Sequence, residues 1–373
     1  MAFSGNLQAR YGVMAAIRQA VVLPTALLLC VPACQAYGRC EGAEAGTFSI
    51  VAYDADAGEW GIAVASKVLA VGYIVPWAKA AVGAVATQAY ANLDYGVEGL
   101  ALLAEGLSAR QVLERLRQKD PEAGRRQVAI IDAAGDVAVF TGEETLAWSG
   151  HIAGDGYSVQ GNILVGEEVL KEMEGAYVAA EGPLARRLLA ALKAGEAAGG
   201  DKRGKESAAL LVVREGGGYQ GKTDRLVDVR VDDHVEPVAE LERIYDIWEL
   251  KFLVGRYLEV GGDKEAAYAL VIMDRVAAEG AADAAVFNDF AWALATRRLY
   301  PARALEFALK AHELAPDDAN VMDTVAEAHY AAGDYEDAVA WEKNALAADP
   351  QNKFFDEQLK KFERAAASGE NAD

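Results

Sequence analysis

Cysteine is scarce in this chain of 373 residues, and its three cysteines all lie near the start, at Cys30, Cys34 and Cys40. The rest of the chain therefore excludes disulfide bonds, a catalytic thiol and cysteine metal ligands. Histidine is almost as rare, because only four are scattered along the sequence and none has the spacing of an HExxH zinc motif. We therefore expect neither a metal nor another cofactor.

Positive charge is also limited, since the chain has 36 Lys and Arg residues against 57 Asp and Glu residues, which gives a formal net charge of −21. No long basic cluster interrupts this acidity, so recognition of a nucleic-acid backbone is disfavoured. Hydrophobic residues make up 53% of the chain and charged residues 25%, as in a globular protein with a substantial core. The length suggests two domains.

Long apolar runs are missing except for one near the N-terminus, residues 20–33, which follows Arg10 and Arg18. This run is too short to span a bilayer and has the form of a secretory signal peptide. We predict a signal peptide over residues 1–36, with cleavage after Ala36. The protein would then be exported, to the periplasm or the extracellular space.

The residues around this expected cleavage site leave alternatives open. Residues 37–46 would form a short leader or propeptide before the first strand. Cys34 lies in a sequence similar to a lipoprotein box, into which Pro32 fits poorly, so lipid attachment at Cys34 is one alternative to simple export. An uncleaved anchor is the other alternative.

Between Thr47 and about residue 245, β-rich runs alternate with pairs of helices. Extended segments are predicted over Thr47–Asp54, Trp60–Lys67, Val75–Gln88, Arg126–Asp132, Val137–Thr141, Tyr157–Val165, Ser207–Arg214 and Leu226–Asp232. Helices are predicted over Tyr95–Gly106, Ser108–Lys119, Glu167–Ala179 and Pro183–Ala194. Paired helices between blocks of antiparallel strands indicate sheets covered by helical layers.

The chain beyond about residue 246 is helical throughout and contains an internal repeat. Pro316 and Pro350 lie 34 positions apart in matching segments, with small and aromatic residues between them. A period of about 34 residues is typical of tetratricopeptide repeats, which pack as pairs of helices. We predict such repeats over residues 246–367 and a disordered tail over residues 368–373.

Thr47 opens the first predicted strand, directly after Gly46 and the small-residue leader. If the residues before it are removed, its α-amine can act as a general base for its own hydroxyl, because the reference pKa of an α-amine is about 7.7–8.0. In an uncleaved chain the same threonine would be an ordinary strand residue.

Five segments together resemble the bacterial family catalogued as domain of unknown function 1028: Thr47–Ala52, Gly61–Lys67, Val75–Lys79, Gly83–Gln88 and Gly199–Gly204. The resemblance covers about residues 47–245. That family is assigned to the N-terminal nucleophile (Ntn) hydrolase superfamily, so the resemblance implies an α+β fold, a four-layer αββα sandwich. It also implies a nucleophile at the start of a central strand, but no substrate.

The Ntn resemblance implies a role for Thr47 and for one lysine. The Thr47 hydroxyl would attack an amide or ester carbonyl while its own amine takes the proton, and water would later open the acyl-enzyme. Lys79 lies 32 positions after Thr47, the spacing of the proteasome-like branch, where the cation lowers the pKa of the nucleophile. Lys79 could instead point to solvent, and Lys67 is the competing lysine.

Asp201 and Ser207 resemble the aspartate and serine that orient the amine of the nucleophile in that branch. The spacing here is wider, and Gly204 stands where the branch has its serine. The alternative is a solvated loop, since the segment around Asp201 is charged and rich in turn-forming residues.

Gln160, Gly161 and Asn162 stand at the end of a predicted strand, where the superfamily uses small polar groups and backbone N–H donors to hold the oxyanion. A turn before the next helix is the alternative interpretation. Gln88 is a further candidate for the substrate pocket. Three others are Thr87, Asn92 and His151.

The sequence therefore predicts an exported amidohydrolase that acts on a small-molecule or peptide amide. The repeats would bind a protein partner or a second copy of the chain. The rival hypothesis is a non-catalytic envelope protein in which both domains bind partners. The mature N-terminus separates the two, because only the enzyme requires a chain that begins at Thr47.

Overall fold

The structure is a computed structural model that describes residues 46–260, 263–280 and 283–368. The expected signal peptide, nearly all of the leader and most of the predicted tail lie outside the described residues. Within the described residues, no helix is both long enough and apolar enough to cross a membrane.

The first strand pairs form an antiparallel sheet, which we call sheet A. Its strands are β1 (Thr47–Asp54), β2 (Glu59–Ser66), β7 (Gly150–Gly154), β8 (Tyr157–Asn162), β9 (Ser207–Val213) and β10 (Arg225–Val231). The strand order is β10-β9-β2-β1-β8-β7. Thr47 is therefore on a central strand, opposite Ser66 on β2 and Asn162 on β8.

A second antiparallel sheet, sheet B, contains β3 (Pro76–Lys79), β4 (Gly83–Ala89), β5 (Arg126–Asp132) and β6 (Val137–Thr141), in that order. The single extended segment predicted over Val75–Gln88 is thus a hairpin. Its turn is closed by a hydrogen bond from the Val82 N–H to the Lys79 carbonyl, 3.1 Å long. β7 was not predicted, because two glycines and an alanine in five residues give little hydrophobic alternation.

Helices cover the outer face of each sheet. A short helix, α1 (Val71–Ile74), follows β2, and the longer ones are α2 (Asp94–Ala104), α3 (Ala109–Lys119), α4 (Glu168–Ala179) and α5 (Leu184–Ala197). Apolar residues of α2 and α3 pack on sheet B, and those of α4 and α5 pack on sheet A. A third apolar cluster fills the space between the sheets. The predicted four-layer αββα arrangement is confirmed.

The pleat of β1 places Thr47 between the two sheets. Successive side chains on a strand point to opposite faces. Phe48 and Ile50 belong to the core beneath α4 and α5, whereas Val51 belongs to the core between the sheets. Thr47 and Ser49 have the same parity as Val51, so their hydroxyls face sheet B.

The rest of the described chain is helical, as predicted. It contains α6 (Pro237–Trp248), a π-helical turn (Glu249–Leu253), α7 (Val254–Val260), α8 (Asp263–Glu279), α9 (Ala284–Thr296), α10 (Pro301–Leu314), α11 (Ala319–Ala332), α12 (Tyr335–Ala348) and α13 (Lys353–Ser368). α10 and α12 begin 34 positions apart, as do α11 and α13. The regular spacing is that of stacked helical hairpins.

The helical region shares its core with the α/β region. The boundary predicted after residue 245 falls inside α6, and Tyr245 is fully buried. The indole N–H of Trp248 donates to the Leu226 carbonyl on β10 at 3.2 Å, and the Arg186 guanidinium on α5 pairs with Glu249. One apolar cluster continues from β1 through α5 and α6 into α11.

Candidate active site

Thr47 is buried at the end of sheet A where β1 begins. Its side chain is 2% exposed, and its Oγ1 lies 3.1 Å from the Ser66 Oγ on the neighbouring strand β2. The tight β1–β2 hairpin places the two hydroxyls directly opposite one another. The first residue of the family-like segment therefore has a hydroxyl partner fixed by the sheet itself.

The peptide carbonyl that precedes Thr47 accepts two hydrogen bonds from side chains. Ser66 Oγ donates to the Gly46 carbonyl oxygen at 2.5 Å, and Arg203 Nη2 donates to the same oxygen at 3.0 Å. Because the single Ser66 proton is directed at Gly46, the Thr47 hydroxyl is the donor in its contact with Ser66. The hydroxyl of Thr47, the hydroxyl of Ser66 and the carbonyl of Gly46 thus form one continuous chain of hydrogen bonds.

Asp201 holds Arg203 in position and packs against Gly46. Its carboxylate, 5% exposed, accepts hydrogen bonds from the Lys67 N–H at 3.0 Å and from the Arg203 guanidinium at 2.7 and 3.0 Å. A Cβ atom added to Gly46 would lie only 2.6 Å from Asp201 Oδ1. The position before Thr47 therefore accommodates glycine and no larger residue without displacing the carboxylate.

The structure brings Asp201 to Thr47 but leaves the predicted lysine elsewhere. Lys79 is exposed at the end of β3, where it pairs with Gly83. Gly83 and Gln88 stand at opposite ends of β4, about 16 Å apart at 3.3 Å per residue. Gln88 contacts β1 through Ser49, and Lys79, which pairs with Gly83, lies at the far end of the hairpin from this contact.

Lys67 and Ser207 support the site indirectly. The Lys67 backbone binds Asp201, while its ammonium, 41% exposed, pairs with Glu206 at 3.4 Å. Ser207 stands opposite Ser66 on β9, two strands from Thr47 and thus about 10 Å away. Its hydroxyl accepts from the Val71 N–H at 3.0 Å, which fastens the segment after β2 to the sheet.

The predicted amides lie in a buried network between the sheets. Gln160 Nε2 donates to Ser49 Oγ at 2.7 Å, and Ser49 donates to Gln88 Oε1 at 2.6 Å. Gln88 Nε2 and Asn162 Nδ2 both donate to Gln127 Oε1, at 2.8 and 3.0 Å. The three predicted amides therefore belong to one buried hydrogen-bond network beside Thr47, and each is bound to other side chains of the protein.

The remaining predicted residues have structural partners too. The Gly161 carbonyl accepts from Gln127 Nε2 at 2.9 Å, and Thr87 Oγ1 donates to the Asn92 carbonyl at 3.2 Å. His151 Nδ1 lies 2.9 Å from Thr141 Oγ1 on the neighbouring sheet, and burial lowers the pKa of the His151 imidazole.

Ser66, Arg203, Ser49 and Gln127 were not singled out from the sequence. A signal for Ser66 was present, because a tight hairpin between two predicted strands fixes the residue opposite Thr47. Arg203 lies in the family-like segment Gly199–Gly204, whose charge was equally compatible with a solvated loop. Gln127 acts across the gap between two sheets, and no local pattern encodes that contact.

A small cavity lies beside the site, on the helix side of β1. Its volume is about 80 Å3, and its walls include Phe48, Ser66, Gly200 and Asp201. Among the described residues, no group of three or more His, Cys, Asp or Glu side chains is arranged to hold a metal ion. Two hydroxyls, a guanidinium and a carboxylate surround the peptide carbonyl that precedes Thr47.

The comparisons with known proteins agree on the α/β part of the chain. The model of a family of unknown function (DUF1028) matches residues 47–241. A crystal structure from that family, of a protein from Silicibacter pomeroyi, resembles this chain with a TM-score of 0.50 and 33% sequence identity, over 55% of this chain and 89% of that one. No curated protein matches the chain. The family match ends inside α6, so the helices after α6 lie beyond it.

Proposed function

The chain belongs to the DUF1028 family, whose function is unknown, and from this premise we propose that it is an amide-bond hydrolase with Thr47 as its nucleophile. The observation that carries the proposal is the pair of donors, Ser66 and Arg203, on the carbonyl that precedes Thr47. Oxygen atoms that gain negative charge in amide cleavage are stabilised by such donors. The same atoms would first free Thr47 and then act on substrate.

The freeing step is an attack of Thr47 on its own preceding peptide bond. The Thr47 Oγ–carbon bond forms, the Thr47 proton passes to Ser66, and the Ser66 proton passes to the Gly46 oxygen, which Arg203 also holds. The carbon–nitrogen bond then breaks, and the nitrogen takes the proton back from that oxygen as the carbonyl re-forms. Water opens the resulting ester, which leaves a Gly46 carboxyl group, the Thr47 hydroxyl and a free α-amine.

Removal of Gly46 would open the position that a substrate needs. The acyl group of the substrate takes the place of Gly46, with its carbonyl oxygen on Ser66 and Arg203 and its carbon facing the Thr47 hydroxyl. In this proposal the Asp201 carboxylate, which packs against Gly46 in the uncleaved chain, orients the new α-amine as the base. Since a Cβ in the Gly46 position meets Asp201 at 2.6 Å, we propose that acyl groups unsubstituted at the α-carbon are preferred.

Intact mass spectrometry of a purified chain that starts at Tyr37 tests the freeing step. The wild-type chain is expected to lose residues 37–46, and Thr47→Ala is expected to retain them. Thr47→Ser should still be cut, and Thr296→Ala, on the exposed end of α9, should be cut at the wild-type rate. Cleavage of the Thr47→Ala chain would assign the cut to another protease.

Substrate preference gives a second test on the cleaved protein. We expect an N-acylglycine p-nitroanilide to be hydrolysed faster than the matching N-acylalanine compound. Arg203→Gln is expected to lower kcat by about 100-fold, the usual cost of losing one oxyanion donor, while Arg115→Gln on the exposed face of α3 changes nothing. Equal rates for Arg203→Gln and wild type would remove Arg203 from the mechanism.

We also propose that the protein is exported and that its repeats bind a protein partner. The apolar run at residues 20–33 supports export, and the stacked hairpins after α8 support partner binding. The rival function, a non-catalytic binding protein, is favoured by one observation. Thr47 is 2% exposed and the neighbouring amides are fully paired, so the uncleaved chain is closed around the hydroxyl. A mature chain that retains Gly46 would support the rival.

A further inference from the structure

A second cavity lies at the opposite end of sheet A from Thr47. Its volume is about 250 Å3, and it opens between the loop after β9 and the segment after α6. β9 runs from Ser207, near Thr47, to Val213, near this cavity, which is about 20 Å along the strand. The cavity is therefore separate from the candidate active site, and a ligand bound in it would be independent of the proposed function.

Aromatic rings form one side of this cavity. Tyr219 is 64% exposed and Phe252 is 42% exposed, with ring centroids 6.2 Å apart in an edge-to-face arrangement. The ring centroids of Trp248 and Phe252 are 4.5 Å apart. Large aromatic side chains grouped at the surface provide apolar area that a ligand can bury.

Two cations, Lys251 and Arg256, also line this cavity, and neither has a carboxylate partner in the part of the chain that the structure describes. Among the described residues, Lys251 makes no ion pair, and Arg256 donates from Nη2 to the Gly216 carbonyl at 2.9 Å. The Arg256 Nε is buried and has no hydrogen-bond acceptor. None of the described residues that line the cavity is acidic. In a chain with a net charge of −21, this lining is a local reversal of sign, and the Arg256 guanidinium keeps one N–H without an acceptor.

The backbone of this wall is also irregular. Lys251 and Phe252 belong to the π-helical turn, and such turns are common at functional sites. On the facing loop, Gln220 has a positive φ of 54°. The turn places an ammonium, an aromatic ring and, three residues after the turn ends, the Arg256 guanidinium around one opening.

We propose that this cavity binds a small ring-bearing carboxylate. The carboxylate bridges the Arg256 guanidinium and the Lys251 ammonium, while the ring packs on Phe252 and Tyr219. A cavity of about 250 Å3 is smaller than most drug-sized sites, so the ligand is a single ring with few substituents. An aromatic acid and a sugar acid share this chemistry.

Isothermal titration of the full purified chain with phenylacetate and with glucuronate tests the proposal and separates the two sources. At least one of these carboxylates is expected to bind, and its uncharged analogue, phenylacetamide or glucose, is expected to bind at least about tenfold more weakly. Arg256→Gln and Lys251→Gln should each weaken binding about tenfold, whereas Arg115→Gln leaves it unchanged.

Several results would overturn the proposal. They are no binding of either carboxylate at millimolar concentration, equal binding of the uncharged analogues, and unchanged affinity in the variants. Thermal melts of the variants are run alongside, and if Arg256→Gln fails to fold, the exposed Lys251→Gln decides. A second copy of the chain could also occupy the aromatic surface, and sedimentation velocity tests for it. If the wild-type chain is a dimer and Phe252→Ser dissociates it, the aromatic surface is a dimer interface and the ligand site is refuted.

Discussion

Removal of the Glu249 carboxylate is predicted to weaken the joint between the α/β region and the helices. Glu249 is fully buried in the π-helical turn and is bound by the Arg186 guanidinium of α5. The Tyr245 hydroxyl also donates to Glu249, at 3.0 Å. Burial lowers the pKa of the Arg186 guanidinium, but its contacts with Glu249 outweigh burial and hold that pKa above its usual value.

The magnitude depends on the partners that Arg186 would retain. Breaking a buried ion pair by removing one partner costs about 3–5 kcal/mol, because an uncompensated charge stays buried. Arg186 keeps Asp246 at 2.6 Å, and Asp246 is 41% exposed, so water can assist. We therefore expect Glu249→Ala to lower the free energy of unfolding by about 3 kcal/mol, the lower end of that range. Arg186→Met combined with Glu249→Leu should cost less than either single change.

Urea unfolding followed by far-ultraviolet circular dichroism and by tryptophan fluorescence measures these effects. A matched control is Glu242→Ala, which breaks the exposed pair of Glu242 with Lys193, 2.7 Å long, between α5 and α6, the helix that leads into the π-helical turn. Exposed pairs contribute about 0–1 kcal/mol, so this control should barely move the midpoint. If Glu249→Ala matched the control, or if the double variant lost the sum of the single losses, the reasoning would be refuted.

Three other changes test the remaining features. Burial raises the pKa of Glu59 to about 7 although Arg214 opposes the rise, so the folded state binds the proton more tightly than the unfolded state. The free energy of unfolding should therefore fall by on the order of 3 kcal/mol as the pH rises from about 4.5 to about 7. Urea unfolding midpoints measured across that range should show this fall in the wild-type chain and not in Glu59→Gln. Gln127→Leu removes the acceptor that the buried Gln88 and Asn162 amides share and should cost about 3 kcal/mol by the same urea assay; a loss no larger than that of the exposed-pair control would contradict it. Gly46→Ala should slow the cut after residue 46 about 100-fold in a mass-spectrometric time course, because the new Cβ displaces the Asp201 carboxylate that holds Arg203 on the Gly46 carbonyl, and wild-type speed would contradict it.

Much of the fold could be predicted because its signals are local. The bounds of β1, β5 and β6 follow from short apolar runs between turn-forming residues. Ser108 begins α3 with a reciprocal capping box, which the sequence indicated by a serine before an amphipathic segment. The repeated helices follow from a fixed spacing. Each of these features is encoded within a few dozen residues.

Features that the sequence did not reveal depend on contacts between distant segments. β7 is too poor in side chains to show a period, and it forms by pairing with β8. The expected lysine at position 79 rested on spacing alone, whereas the β3–β4 hairpin turns that residue to solvent. The boundary near residue 245 rested on a change of composition, yet α6 packs on β10 and extends the same core.

The candidate site was half predictable for the same reason. Thr47 and Asp201 belong to segments with a recognisable sequence, and the structure brings them together around Gly46. The position of Ser66 opposite Thr47 depends on the register of the β1–β2 pair, and the position of Arg203 depends on the turn that follows Asp201. Both positions required coordinates, because an arginine in a glycine-rich loop and a serine at the end of a strand are common in any protein.

The two donors on the Gly46 carbonyl come from residues that are synthesised after it, so this peptide bond gains its contacts late in translation. Ser66 is 20 residues away along the chain, and Arg203 is 157 residues away. During synthesis, Arg203 cannot donate to the Gly46 carbonyl until more than half of the chain has been translated. The bond acquires both donors only when β2 has paired with β1 and the loop before β9 has reached Gly46. A cleavage at Gly46 that depends on both donors would therefore begin only after synthesis has passed Arg203 and its loop has reached β1.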